Sequence, residues 1–278
     1  MKTQLYTPHI FSLCALSVLG NAIILMPFLK SGGLSSILIS AVLTICIILL
    51  MTWLAKRWQK NKFIFFIVFV FIGIVAIYSA ATTFLDYVGF LKSAQMPSAS
   101  IYLLAAVLLG LIVVFVLSST SAIYKYCLLV AIIGALMIAI CFVGGIRNFD
   151  FSNFKESFLK PDFNIKDFLR FFSSLAVIPF FVSLKLKDFS AKPLVFGTTT
   201  GFLVLLLCLA QSVLTMSFLS DTAYPYLKAV GVISSGSLFT RLDGFVYFLF
   251  FITALTKIIV CIKTLCIIVS RLPFDKLP

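Results

Sequence analysis

A chain of 278 residues that is 62% hydrophobic and only 11% charged carries more apolar side chain than a water-soluble fold can cover. Its 22 Lys and Arg against 9 Asp and Glu give a net charge of +13, yet these basic residues mostly flank apolar runs, where they face anionic headgroups, and they lack the aromatic interleaving of a nucleic-acid surface. Composition therefore excludes a soluble enzyme and a nucleic-acid partner, and predicts an all-α integral membrane protein.

About eight apolar spans follow one another, each bounded by charge, Gly or Pro. The first, Pro8 to Leu29, is not a cleavable signal peptide: it has one preceding Lys, no convincing small-residue cleavage site, and Gly and Pro inside it. It holds Gly20-Asn21-Ala22 followed by Met26-Pro27. Such a flexible, polar and helix-breaking set within one span suits a discontinuous helix lining a midplane site, and equally a glycine that permits close packing before a proline that ends the helix.

The second span, Ser35 to Ala55, closes on Lys56, Arg57, Lys60 and Lys62; the third, Phe63 to Leu91, carries Asp86, which either pairs with a basic residue or sits at an interface. The fourth and fifth, Ser100 to Leu117 and Ala122 to Val143, complete a first repeat over 8–143. Gly144 to Asp167 alternates Phe with charge, too polar to cross and suited to short amphipathic helices on the membrane face.

A partial second repeat, 168–270, starts with the short span Phe168 to Leu184, where Ser173, Ser174 and Ala176 lead to Pro179. In a five-plus-five inverted repeat this span is the counterpart of the first, and two interrupted helices at matching positions point to a binding site. The seventh span is Pro193 to Leu219, a second polar segment covers Asp221 to Ser237, and the eighth runs from Phe239 to Ser270.

Lys257 lies well inside that eighth span, where a charge costs at least ~2.5–3.5 kcal/mol on insertion scales, so it is expected to face a cavity or a partner rather than lipid. Snorkelling toward the headgroups is the competing expectation. Arg241 and Asp243 open the same span, with Asp243 complementing the positive helix end.

Lys and Arg crowd the loops after spans two and six, whereas the opposing short loops hold only Lys30 and Lys92, which places both termini in the cytoplasm. Arg147, Lys155, Lys160 and Lys166 argue against this from the segment after span five. The seven cysteines all fall in apolar runs and read as small buried hydrophobes, and the single His9 supports no metal or catalytic cluster. No Walker loop, metalloprotease, nucleophile-elbow or paired-carboxylate pattern occurs, so neither enzyme activity nor a cofactor is expected.

The order of features resembles the B subunit of endospore germination receptors, the spore germination permease family. The resemblance is carried by Gly20-Asn-Ala-Ile-Ile-Leu-Met-Pro27, by Trp53-Leu-Ala-Lys-Arg-Trp58 closing span two, by Tyr224-Pro-Tyr-Leu-Lys-Ala-Val230, and by Phe239-Thr-Arg-Leu-Asp-Gly-Phe245 running on to Thr256-Lys257-Ile258. Lys125 falls where members place an arginine early in the fifth helix, and Asp86 where they often place an acid in the third.

That family is similar to amino acid, polyamine and organocation transporters, which implies a transporter-like inverted repeat with a pocket between helices one, three, six and eight. Its members are expected to bind a small nutrient germinant, commonly an amino acid, and to act with an A-type subunit and a lipoprotein C-type subunit in the spore inner membrane. Ending at Pro278, the chain is expected to lack the family's last two helices; Asn21 replaces a small residue of the first-helix motif, and Ala176 and Ile178 replace a glycine and an acid of the sixth.

The resemblance implies a ligand-sensing subunit in which Gly20, Asn21, Ala22, Ser173, Ser174 and Ala176 receive a small zwitterion while Lys257 stands in for a coupling cation; Asp86, Lys125, Arg241 and Asp243 are expected in structural charge pairs. An amino-acid permease, or a truncated permease acting only in assembly, are the alternatives.

Overall fold

The structure, a computed structural model, describes residues 7–20, 62–152, 191–215 and 242–271, with isolated positions elsewhere. Six α-helices occur among the described residues: α1 (Thr7–Leu19), α2 (Lys62–Phe90), α3 (Ile101–Leu117), α4 (Thr120–Gly145), α5 (Ala191–Thr215) and α6 (Leu242–Arg271). No strand is present among them. Spans two and six, and the polar segment 221–237, lie outside the described residues apart from scattered positions.

Four helices contain stretches long and apolar enough to cross a bilayer, Val70–Ser93, Lys125–Gly145, Val195–Ser212 and Gly244–Ser270, so the chain is a helical membrane protein. Their outer faces carry large apolar residues, among them Ile74, Ile77 and Leu85 on α2 and Leu129, Ile132 and Leu136 on α4. Their inner faces hold the polar ones: Ser79, Thr83, Gln211, Ser212, Thr253, Thr256, Lys257 and Thr264 are all buried. In lipid an inward position is favoured, because the hydrocarbon itself offers a polar group no hydrogen-bond partner. Thr83, Thr256, Thr264 and Ser212 each donate a hydroxyl to a carbonyl four residues back, which satisfies them within their own helix.

α6 is the axis of the bundle, with contacts to α1, α2, α3 and α4. Its antiparallel pairing with α2 keeps one register over most of their length: Gly73 meets Leu265, Ala76 clusters with Cys261, Tyr87 packs on Phe251 and Phe90 stacks on Tyr247. α1 lies against α5 in the most extensive interface of the bundle. There the glycines of Gly197-Thr-Thr-Thr-Gly201 let backbones touch: a Cβ on Gly197 would lie 2.7 Å from the Phe11 carbonyl oxygen, and one on Gly201 would lie 3.0 Å from Ala15 Cα. Without a hydrophobic drive between helices in lipid, such small-residue approach is a main source of association. Gln211 of α5 donates from Nε2 to the Cys141 carbonyl of α4 at 2.8 Å and ties the next pair.

The connections are short where they are described. α2 continues into a π-helical turn, Leu91–Gln95, and Lys92 folds back to donate to the Pro97 and Ala99 carbonyls, both at 2.6 Å. α3 and α4 form a hairpin in which Ser119 accepts from the Ala122 N–H as N-cap, and Lys263 of α6 donates to the Ser118 carbonyl at 3.1 Å. α4 runs two residues past its expected end to Gly145, and Ile146–Asn148 follow as a 3-10 turn. Asp150 then opens the polar segment: its Oδ1 accepts from the Ser152 hydroxyl and N–H, which holds the carboxyl below its usual range.

Two cysteine expectations need correction. Cys14, Cys127, Cys141, Cys208 and Cys261 are buried, but Cys46 and Cys266 are exposed; a thiol is apolar enough to face lipid, so an apolar run does not guarantee an inward position.

Alanine at Gly197 or Gly201 gains helix propensity yet forces α1 away from α5, and is expected to cost about 1–3 kcal/mol. Gly110, where an added Cβ meets nothing within 4 Å, is the control. Thermal unfolding in detergent, followed by size-exclusion recovery, should rank Gly197→Ala and Gly201→Ala below the parent and Gly110→Ala at or above it.

Candidate functional site

α1 has 13 residues and rises only about 20 Å, less than the ~30 Å hydrocarbon core. Its last described helical bond runs from the Gly20 N–H to the Leu16 carbonyl at 2.8 Å, and Gly20 itself is in a turn. The described helix ends at this turn. It stops against the middle of the 30-residue α6, where a Cβ on Gly20 would lie 2.8 Å from the Thr253 carbonyl oxygen and 3.3 Å from Lys257 Cβ. No side chain fits there, so glycine is required by contact rather than by backbone angle.

Lys257 is 2% exposed. Its stem is rooted at the C-terminal end of α1, where the partial negative charge of a helix favours a cation. The snorkelling expectation is excluded by this burial, because a snorkelling ammonium reaches water or headgroups. From α2, Asp86 interacts electrostatically with Lys257, and Cys261 one turn along α6 does the same. Ser79 of α2 lies beside Cys261. Asp86 is half-buried, with its Oδ2 shielded from solvent on the side that faces the bundle.

Three elements thus meet at one point: a helix end from α1, a cation from α6 and an acid from α2. The Asp86 carboxylate and the partial negative charge at the α1 end both act on the buried Lys257 cation. Thr253 donates its hydroxyl to the Phe250 carbonyl at 2.9 Å, so its own carbonyl is the group facing Gly20.

Of the residues singled out in the sequence, Gly20, Lys257 and Asp86 come together. Lys125 is exposed on the first turns of α4 and is not part of this cluster. Asp243 lies in the first turn of α6, with only its backbone described. Asn21, Ala22, Ser173, Ser174, Ala176 and Arg241 lie outside the described residues. Among the described residues no group of His, Cys, Asp or Glu could hold a metal ion.

Three features escaped the sequence reading. The Gly197–Gly201 stripe was legible as a G-x-x-x-G pattern within an apolar span. Gln211 was legible as an uncharged amide at membrane depth. Lys92 had no such signal, since its role depends on the π-turn that brings Pro97 and Ala99 to it. The chain matches no known family profile, no curated protein and no solved structure.

Lys257 is fully buried and Asp86 half-buried, so removing the acid leaves a buried cation less well compensated, whereas removing both charges is milder. Asp86→Leu and Lys257→Leu are therefore each expected to lower the apparent melting temperature, and the double variant to recover most of the loss. Additive losses in the double variant would separate the two residues.

Proposed function

We propose that this membrane protein is the B-type subunit of a spore germinant receptor, binding a small nutrient germinant, by its resemblance an amino acid, in a midplane pocket and signalling to partner subunits. The observation that carries this reading is the meeting of the α1 end at Gly20 with the buried Lys257, on which Asp86 of α2 also acts. Intramembrane charge at a broken helix is the usual device by which transporter-like folds hold charged solutes.

In this reading the chain forms eight spans of an inverted repeat, with its N-terminus cytoplasmic in the spore inner membrane. Gly20, Asn21 and Ala22 of the first span, with Ser173, Ser174 and Ala176 of the sixth, receive the zwitterion's backbone-like groups. Lys257 takes the place of a coupling cation, which makes binding independent of sodium. Occupancy favours one arrangement of the core, and the A-type and lipoprotein C-type subunits read that shift.

The test is a binding screen of amino acids and nucleosides on the purified chain assembled with its partners, paired with uptake of labelled amino acid into proteoliposomes. Saturable, sodium-independent binding without flux is the expected result. Accumulation by the isolated chain would instead establish an amino-acid transporter, and absence of both would leave a permease-like scaffold that serves assembly alone. Within the same assay Lys257→Met is expected to weaken binding at least tenfold, the equivalent of about 1.4 kcal/mol. Lys263→Met, which removes only the tie to the Ser118 carbonyl, is expected to leave binding nearly unchanged.

A further inference from the structure

Away from Lys257, the C-terminal end of α2, the π-turn, α3 and the first turns of α6 enclose an apolar groove of about 480 Å³. Tyr87, Phe90, Tyr247 and Phe251 form its floor, and Leu103 and Phe248 stand at its lips, 61% and 60% exposed on the lipid-facing surface. At one end of it lies Lys92. The Lys92 ammonium donates to the carbonyl of Ala99, itself a lining residue, so the charge is pinned at the mouth of the groove.

Lys92 is the only charged residue from 87 to 124, and Arg241 and Asp243, which precede the lining residue Gly244, cancel in net charge. The Pro97 and Ala99 carbonyls that accept from it are neutral and take two of its three N–H donors. One donor and a whole positive charge stay available at the rim. The groove thus combines an apolar trough with a cation at one end.

We propose that this groove is a binding site for one phospholipid with an anionic headgroup, its acyl chain lying between α3 and α6 and its phosphate on Lys92. The apolar trough opens sideways to lipid, so the occupant enters from the bilayer rather than from water. Because bulk lipid tails are as apolar as the groove, burying the tail gives packing contacts but no net hydrophobic gain. Selectivity therefore rests on the headgroup, and the juxtaposed charge makes the site anion-selective.

Gly244 allows a clean test, since a Cβ there meets nothing within 4 Å and a large side chain at that position projects into open groove. The full chain is reconstituted in nanodiscs of phosphatidylglycerol or phosphatidylcholine doped with a lipid bearing a photoactivatable acyl chain, and labelled peptides are mapped. Labelling is expected to concentrate on α3 and the start of α6, above that of the ordinary lipid-facing surface at Ile132 and Leu136 of α4.

The groove signal is expected to be about fivefold higher with the anionic lipid, a preference that Lys92→Gln removes. Gly244→Trp is expected to abolish the groove signal and leave that of α4 unchanged, which also reports that the variant is folded. Equal labelling of the groove and α4 would mean ordinary surrounding lipid and overturn the site. So would a groove signal that survives Gly244→Trp, or a groove that stays dark while α4 is labelled, the mark of coverage by polypeptide.

Discussion

A lysine in the middle of a membrane helix cannot face lipid, and the bundle is arranged around that constraint. Burying Lys257 puts its helix, α6, at the axis and draws one helix to each of its sides: α2 brings Asp86, and α1 brings a helix end. The rest of the polar inventory follows the same rule. Serines and threonines on α2, α5 and α6 turn inward and bond to their own helix backbones, which neutralises them without fixing any partner. Lys257 differs, because a charge cannot be satisfied by a single carbonyl of its own turn.

Close approach of backbones does the remaining work. Gly20 brings α1 onto the Thr253 carbonyl, and Gly197 and Gly201 bring it onto α5, so α1 is gripped on two sides by glycine-mediated contacts. These contacts involve backbone atoms, which have no rotamers with which to relieve a clash. By contrast, a Cβ on Gly134 would meet only the tip of Leu249, a side chain able to move. The two kinds of glycine look alike in the chain and differ only in what lies opposite.

The helical membrane class was legible from composition alone, and the described helices other than α1, which is described only to Leu19, begin and end within a few residues of the apolar spans. α2 and α3 start one residue from their expected positions and α6 three residues inside its own. Gly20 stood out in the sequence as a glycine before a polar residue, but the reason for it was not legible, since the Thr253 carbonyl comes from the far end of the chain. Asp86 could be read either as an interfacial acid or as half of a pair, because only the α2–α6 register decides which. Local pattern predicts depth and helicity; long-range pairing needs the register of helices that are distant in sequence.

That register also links the two sites. The α2–α6 interface carries the Asp86–Lys257 interaction and, toward the ends of the same two helices, the stacked Tyr87, Phe90, Tyr247 and Phe251 that floor the groove. On the proposed reading, a ligand carboxylate at Lys257 takes over the ammonium from Asp86 and weakens one of the ties between α2 and α6. The α1–α5 contacts, which involve no charge, are untouched by this exchange. Ligand binding then acts selectively on one interface, and a lipid held at its edge biases the same equilibrium from the other end. By linkage, each occupant changes the affinity for the other by the same factor, so the bilayer itself becomes a participant in how such a subunit responds.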